Sequence, residues 1–71
     1  MNINKVSVGQ MWKREESGEV YLVTSLYKDL FSSYALLRNI NQRSSEVIKR
    51  AKLVKSASGE IIIGFSAAEM V

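Results

Sequence analysis

Ser17-Gly18-Glu19-Val20-Tyr21-Leu22-Val23 and Ser58-Gly59-Glu60-Ile61-Ile62-Ile63 open on the same tripeptide, and in both a run of strand formers follows. A glycine behind a small polar residue suits the left-handed position of a short hairpin loop. The β-branched and aromatic residues after it suit the strand that returns from that loop. Two such hairpins about forty residues apart, in a chain of 71, predict a small antiparallel all-β domain.

Between and around these turns the remaining strands follow. Val8 to Arg14 reads as a first strand, with Gly9 allowing a sharp entry or bulge, and residues 1–8 as a loose lead-in. Glu15-Glu16-Ser17-Gly18 is the first loop. The second strand runs from Glu19 to about Lys28 and is apolar on both faces, with Val20, Leu22 and Leu26 on one and Tyr21, Val23 and Tyr27 on the other. Such a strand is central in a tightly curved barrel, carries a bulge, or uses one face for a partner. Asp29 to Ser33 is a connection whose Leu30 and Phe31 either close an end of the core or, if exposed, are contact residues. Tyr34 to Ile40 is the third strand and residues 41–45 a polar loop.

Residues 46–55 admit two readings. Val47, Ile48, Ala51 and Val54 share a helical face, with Ser44 or Ser45 as N-cap, which would make the domain α+β. Lys52-Leu53-Val54-Lys55 feeds directly into the second hairpin, which requires a strand there and favours the extended form. Ile61 to Phe65 is then the last strand, with Gly64 marking a bulge or close approach. Ser66-Ala67-Ala68-Glu69 has the spacing of a capping box, so the chain is expected to end in one helical turn. Five short strands with polar turns suit a small closed or half-closed barrel filling residues 1–71 as one domain.

Val8-Gly9-Gln10-Met11-Trp12, a turn at Ser17-Gly18, and then Tyr21-Leu22-Val23-Thr24 resemble the opening of small bacterial SH3-like barrels. The resemblance spans residues 6–27. It implies an SH3-like barrel and the tendency of such barrels to serve as binding modules, whether for peptides, RNA, DNA or their own copies; it implies no particular ligand.

The composition bounds the function. A domain this small buries only about 60% of its unfolded surface, and one core supplies ~3–5 kcal/mol of net stability. With no Cys and no His, disulfides are impossible and the two commonest zinc ligand types are absent, so no metal or cofactor is expected. Self-association, as a homodimer, is the remaining device, and 46% apolar residues make a shared face available. The same absences remove the usual general base and thiol nucleophile, and the glycines are too dispersed for a phosphate loop, so no enzyme and no small-molecule substrate are expected. No run is long enough to span a bilayer and no leader is visible, so the expectation is a cytoplasmic protein without a membrane partner.

Two partner classes remain. Arg38, Arg43, Lys49, Arg50, Lys52 and Lys55 face a single acid, Glu46, within residues 38–55, while the rest of the chain is net acidic. This segment is the candidate polyanion-binding site, with Tyr21, Tyr27 or Tyr34 as stacking surfaces; the competing reading is a solvated face, with the tyrosines and Trp12 packed as ordinary strand and core residues. The favoured function is protein contact or self-association, with Leu30, Phe31, Tyr27 and Tyr34 as candidate contact residues.

Overall fold

A computed structural model describes residues 5–68. Six antiparallel strands follow one another: β1 (Met11–Arg14), β2 (Val20–Lys28), β3 (Ser33–Asn39), β4 (Val47–Ser56), β5 (Gly59–Ile62) and β6 (Phe65–Ala67). The first five form a meander in which each strand pairs with the next. β6 then pairs with β1, giving the order β5-β4-β3-β2-β1-β6 and a nearly closed barrel with β5 and β6 against one another at the seam.

Both Ser-Gly-Glu segments turn the chain as their glycines require. Gly18 (φ +75°) and Gly59 (φ +124°) occupy the half of backbone space that other residues avoid. Residues 15–19 join β1 to β2, closed by the Gly18 N–H donating to the Arg14 carbonyl at 2.7 Å. Ala57 and Ser58 alone join β4 to β5, between the paired Ser56 and Gly59.

The core alternates inward from the strands: Trp12, Tyr21, Val23, Ala35, Leu37, Ala51 and Ile62 are buried, with Val6 added from the segment before β1. Phe65 packs edge-on against Tyr21 at 5.6 Å. Trp12 is thus a core anchor. The sheet carries two bulges, and the first sorts the apolar residues of β2 between its faces. Between Val23 and Ser25 the register of β2 against β3 shifts by one. Val23 pairs with Leu37 and Leu26 with Ala35, so Leu26 joins the inner face while Tyr27 pairs with Tyr34 on the outer one. Strict alternation had grouped Leu26 with Val20 and Leu22; the bulge moves it. A second bulge puts Lys49 and Arg50 of β4 opposite Leu36 of β3.

The strand reading of 46–55 holds, since β4 runs straight through it, and the α+β alternative is set aside. Two expectations are corrected. The described residues form six strands rather than five, because Gly64 (φ +84°) does more than bulge the last run. It turns the chain, ending β5 at Ile62 and releasing Phe65 to Ala67 to cross to β1. Among the described residues the helical turn expected from Ser66 does not form: Ser66 and Ala67 are strand, pairing with Lys13 and Trp12. A hydroxyl cannot cap a helix whose first residues are already committed to a sheet. Glu69, the other half of the expected capping box, lies outside the described residues.

Candidate functional site

The β2–β3 hairpin ends in a tight turn over residues 29–32. Its conformation is set by one side chain. Asp29 Oδ1 accepts from the backbone N–H groups of Phe31 (3.0 Å) and Ser32 (2.9 Å), and the Asp29 N–H donates to the Ser32 carbonyl. Short acidic side chains fold back on the backbone in this way and fix turns. The two amide donors, first Phe31 and then Ser32, hold the Asp29 carboxyl below its ordinary range, with Arg50 assisting. The other oxygen lies 3.7 Å from the Arg50 guanidinium. On this fixed turn Leu30 and Phe31 are 90% and 93% exposed. Of the two fates the sequence allowed them, neither side chain closes the core.

The stem below the tip is braced by the other two candidate contact residues. Tyr27 and Tyr34 stack across the strands at 5.5 Å, and the Arg50 guanidinium sits 4.4 Å above the Tyr34 ring. The Tyr27 hydroxyl donates to the Lys49 carbonyl, inside the β4 bulge. Tyr34 is thus held between Tyr27 and Arg50, while Tyr27 spends one face and its hydroxyl on the protein and stays part-exposed. Tyr21 lies in the core, so it offers no stacking surface.

The basic segment does not form one surface. Arg38 and Arg43 lie toward the opposite end of the barrel, near the β3–β4 loop, where Asn41 ties the turn by accepting from the Arg43 N–H. Arg50 is drawn into the aromatic stack and the Asp29 pair. Lys52 and Lys55 lie along the cleft beside Leu30 and Phe31, joined there by Lys28, which the sequence left out of the basic set. The structure thus brings Lys52 and Lys55 to the tip and leaves Arg38 and Arg43 elsewhere. Among the described residues no group of three or more acids, His or Cys is placed to hold a metal ion, and no helix is long and apolar enough to cross a membrane.

A second polar cluster escaped the sequence. At the far end of β2, the Tyr21 hydroxyl donates to Glu46 Oε1 at 2.6 Å, and Arg14 approaches the other oxygen at 3.5 Å. Asn39, buried in the inward phase of β3, donates to Glu19 at 2.9 Å and accepts from the Asn41 N–H. The Glu46 hydrogen bond, then burial, raises the Tyr21 pKa above its ordinary value; the Tyr21 hydrogen bond is the first cause raising that of Arg14. These groups tie the β1–β2 and β3–β4 loops to the core. Asn39 was the visible signal: an amide in phase with Ala35 and Leu37 requires a polar partner inside.

Fold and site together define a small β-barrel that holds an apolar hairpin tip, flanked by lysines, out in solvent. Comparison with family models, with characterised proteins and with solved structures finds no match to this chain.

Proposed function

We propose that the chain is a non-enzymatic binding module of SH3-like type that contacts a protein partner through the β2–β3 hairpin tip. One observation carries this reading: Leu30 and Phe31 stand almost fully exposed on a turn that Asp29 holds in place. A single exposed apolar residue needs no explanation, but two large ones side by side on a pre-ordered turn are suited to burial in a partner. The order of the strands, a meander closed by the last strand on the first, supports the SH3-like class. A cytosolic home is part of the proposal and rests on the sequence alone.

A different protein is favoured over a second copy meeting tip to tip. Lys28, Lys52 and Lys55 flank the tip, and two copies would bring those like charges together. Nucleic acid is disfavoured because Tyr34 is stacked by Tyr27 and covered by Arg50, and a single part-exposed ring, Tyr27, is less than the row of open aromatic faces that base stacking uses.

The test is a photoreactive amino acid placed at Phe31, with the same group at Glu16 as a control on the other hairpin. The expected result is a discrete protein adduct at Phe31 that is absent at Glu16 and lost with Leu30→Asp. Adducts to nucleic acid, or equal labelling at both positions, would overturn the reading.

A further inference from the structure

A groove of about 710 Å³ runs along the barrel end below the tip. Its volume lies within the range of pockets that hold ligands. Leu26, Tyr27 and Leu53 supply apolar surface to it, and Leu26 remains 38% exposed although it sits in the inward phase beside Ala35. Lys5, Lys28 and Lys55 line it against one acid, Glu60, whose carboxylate already accepts the Val6 N–H at 3.1 Å. Among the described residues none of these lysines is ion-paired. Lys28, Leu53 and Lys55 also line the cleft beside Leu30 and Phe31, so groove and tip form one continuous surface.

We infer that this groove receives an extended segment of the partner protein that carries both apolar and acidic side chains. The inference rests on the protein-contact reading above and names the chemistry of the partner. Apolar side chains of the segment cover Leu26, Tyr27 and Leu53, and its carboxylates meet Lys5, Lys28 and Lys55. Charge complementarity selects an acidic occupant. Concavity selects a chain over a lipid surface, because a bilayer face that receives the convex tip does not reach into a groove beside it. Continuity with the tip selects a segment long enough to run from the groove to Phe31.

The experiment is selection of a random heptapeptide display library on the immobilised full chain, followed by binding measurements on an enriched, synthesised peptide. Peptides combining Asp or Glu with Leu, Ile or Phe are expected to be enriched. Lys28→Glu and Lys55→Glu should each weaken binding about fivefold, since each removes one exposed ion pair and adds a repulsion. Leu26→Asp should abolish binding, with Leu26→Ser as the milder variant should the charge disturb folding. Arg43→Glu, at the other end of the barrel, should change nothing.

Enrichment of basic peptides, no enrichment, or indifference to Lys28 and Lys55 would overturn the inference. So would equal competition by phosphatidylserine vesicles or by single-stranded DNA of mixed sequence, which would mark a general polyanion surface. The two proposals fail separately. A Phe31 adduct without peptide selection removes the groove and leaves the tip as a protein contact, whereas loss of both removes both.

Discussion

The two ends of β2 use the same residue type in opposite ways. At one end Tyr21 is fully buried, its ring against Phe65 and its hydroxyl on Glu46. At the other end Tyr27 and Tyr34 stack across the strands, and beyond them Phe31 is 93% exposed. The first end places its carboxylates on core hydroxyls and amides; the second spends Asp29 on shaping the turn and leaves its lysines facing outward. Aromatic content therefore says little about role here. What separates the two ends is whether a ring's neighbours already enclose it.

The comparison breaks most sharply at Tyr21. Tyr21→Ala removes a large core side chain, for which losses of about 3–5 kcal/mol are usual. That equals the ~3–5 kcal/mol expected of one small core, so about half of the variant or more should be unfolded by circular dichroism at room temperature. A folded Tyr21→Ala protein would show that the barrel does not depend on this end.

A smaller effect is expected from the polar partner. Glu46→Ala leaves the Tyr21 hydroxyl without its acceptor, and an unpaired buried polar group costs about 1–3 kcal/mol, readable as a shift in urea midpoint. The same hydrogen bond sets a pH dependence. Because the folded pKa of Tyr21 lies above its ordinary value of 10.0, the associated stability is fully present below that value. It is lost as pH rises through the folded pKa. Alkaline titration should therefore destabilise the parent, and Tyr21→Phe should remove that part of the loss.

Next comes the turn that closes the barrel. Gly64 holds φ +84° with open space where a Cβ would go, so Gly64→Ala meets backbone strain and no clash. A left-handed conformation costs a non-glycine residue roughly 1–2 kcal/mol, which thermal unfolding should detect. A loss well beyond that would mean that β6 detaches from β1 altogether.

Gly64 also shows where the sequence stops being legible. The two hairpins, the strand at 46–55 and the core place of Trp12 follow from turn chemistry and local pattern, which act over a few residues. Whether Gly64 bends a strand or ends one depends on what β1 offers across the barrel, which no local pattern contains. Ser66 carries a valid capping signal, overridden by the same long-range pairing. At the site, Leu30 and Phe31 stood out in the sequence because they interrupt a polar connection, and the structure places both in solvent. Lys28 was not grouped with Lys52 and Lys55, since only the β2–β3–β4 register brings them together. Leu26 was hidden by a one-residue bulge that reverses its face.

Acid should act on the tip without unfolding the barrel. The Asp29 carboxyl is held below its ordinary value of 3.8, so the turn's contribution is present above that value. It is lost as pH falls through the lowered pKa. The Phe31 and Ser32 amide resonances should report that midpoint, and Asp29→Ala should erase it. A midpoint at or above the ordinary value would mean that the carboxylate does not fix the turn in solution.

The smallest expected effect is the most informative for the contrast between the two ends. Phe31→Ser deletes an aromatic ring, as Tyr21→Ala does, yet the ring is 93% exposed and has no burial to lose. Substitutions at such positions stay within about 0.5 kcal/mol. The urea midpoint of Phe31→Ser should therefore match the parent's although one of the two exposed apolar side chains at the tip is removed. A midpoint lowered as much as that of Glu46→Ala would place the ring among the groups that hold the barrel together, and the tip would lose its claim to be a surface kept for a partner. An unchanged midpoint would leave an apolar pair that contributes nothing measurable to folding, on a turn for which the fold supplies Asp29 and Arg50, as the proposed contact requires.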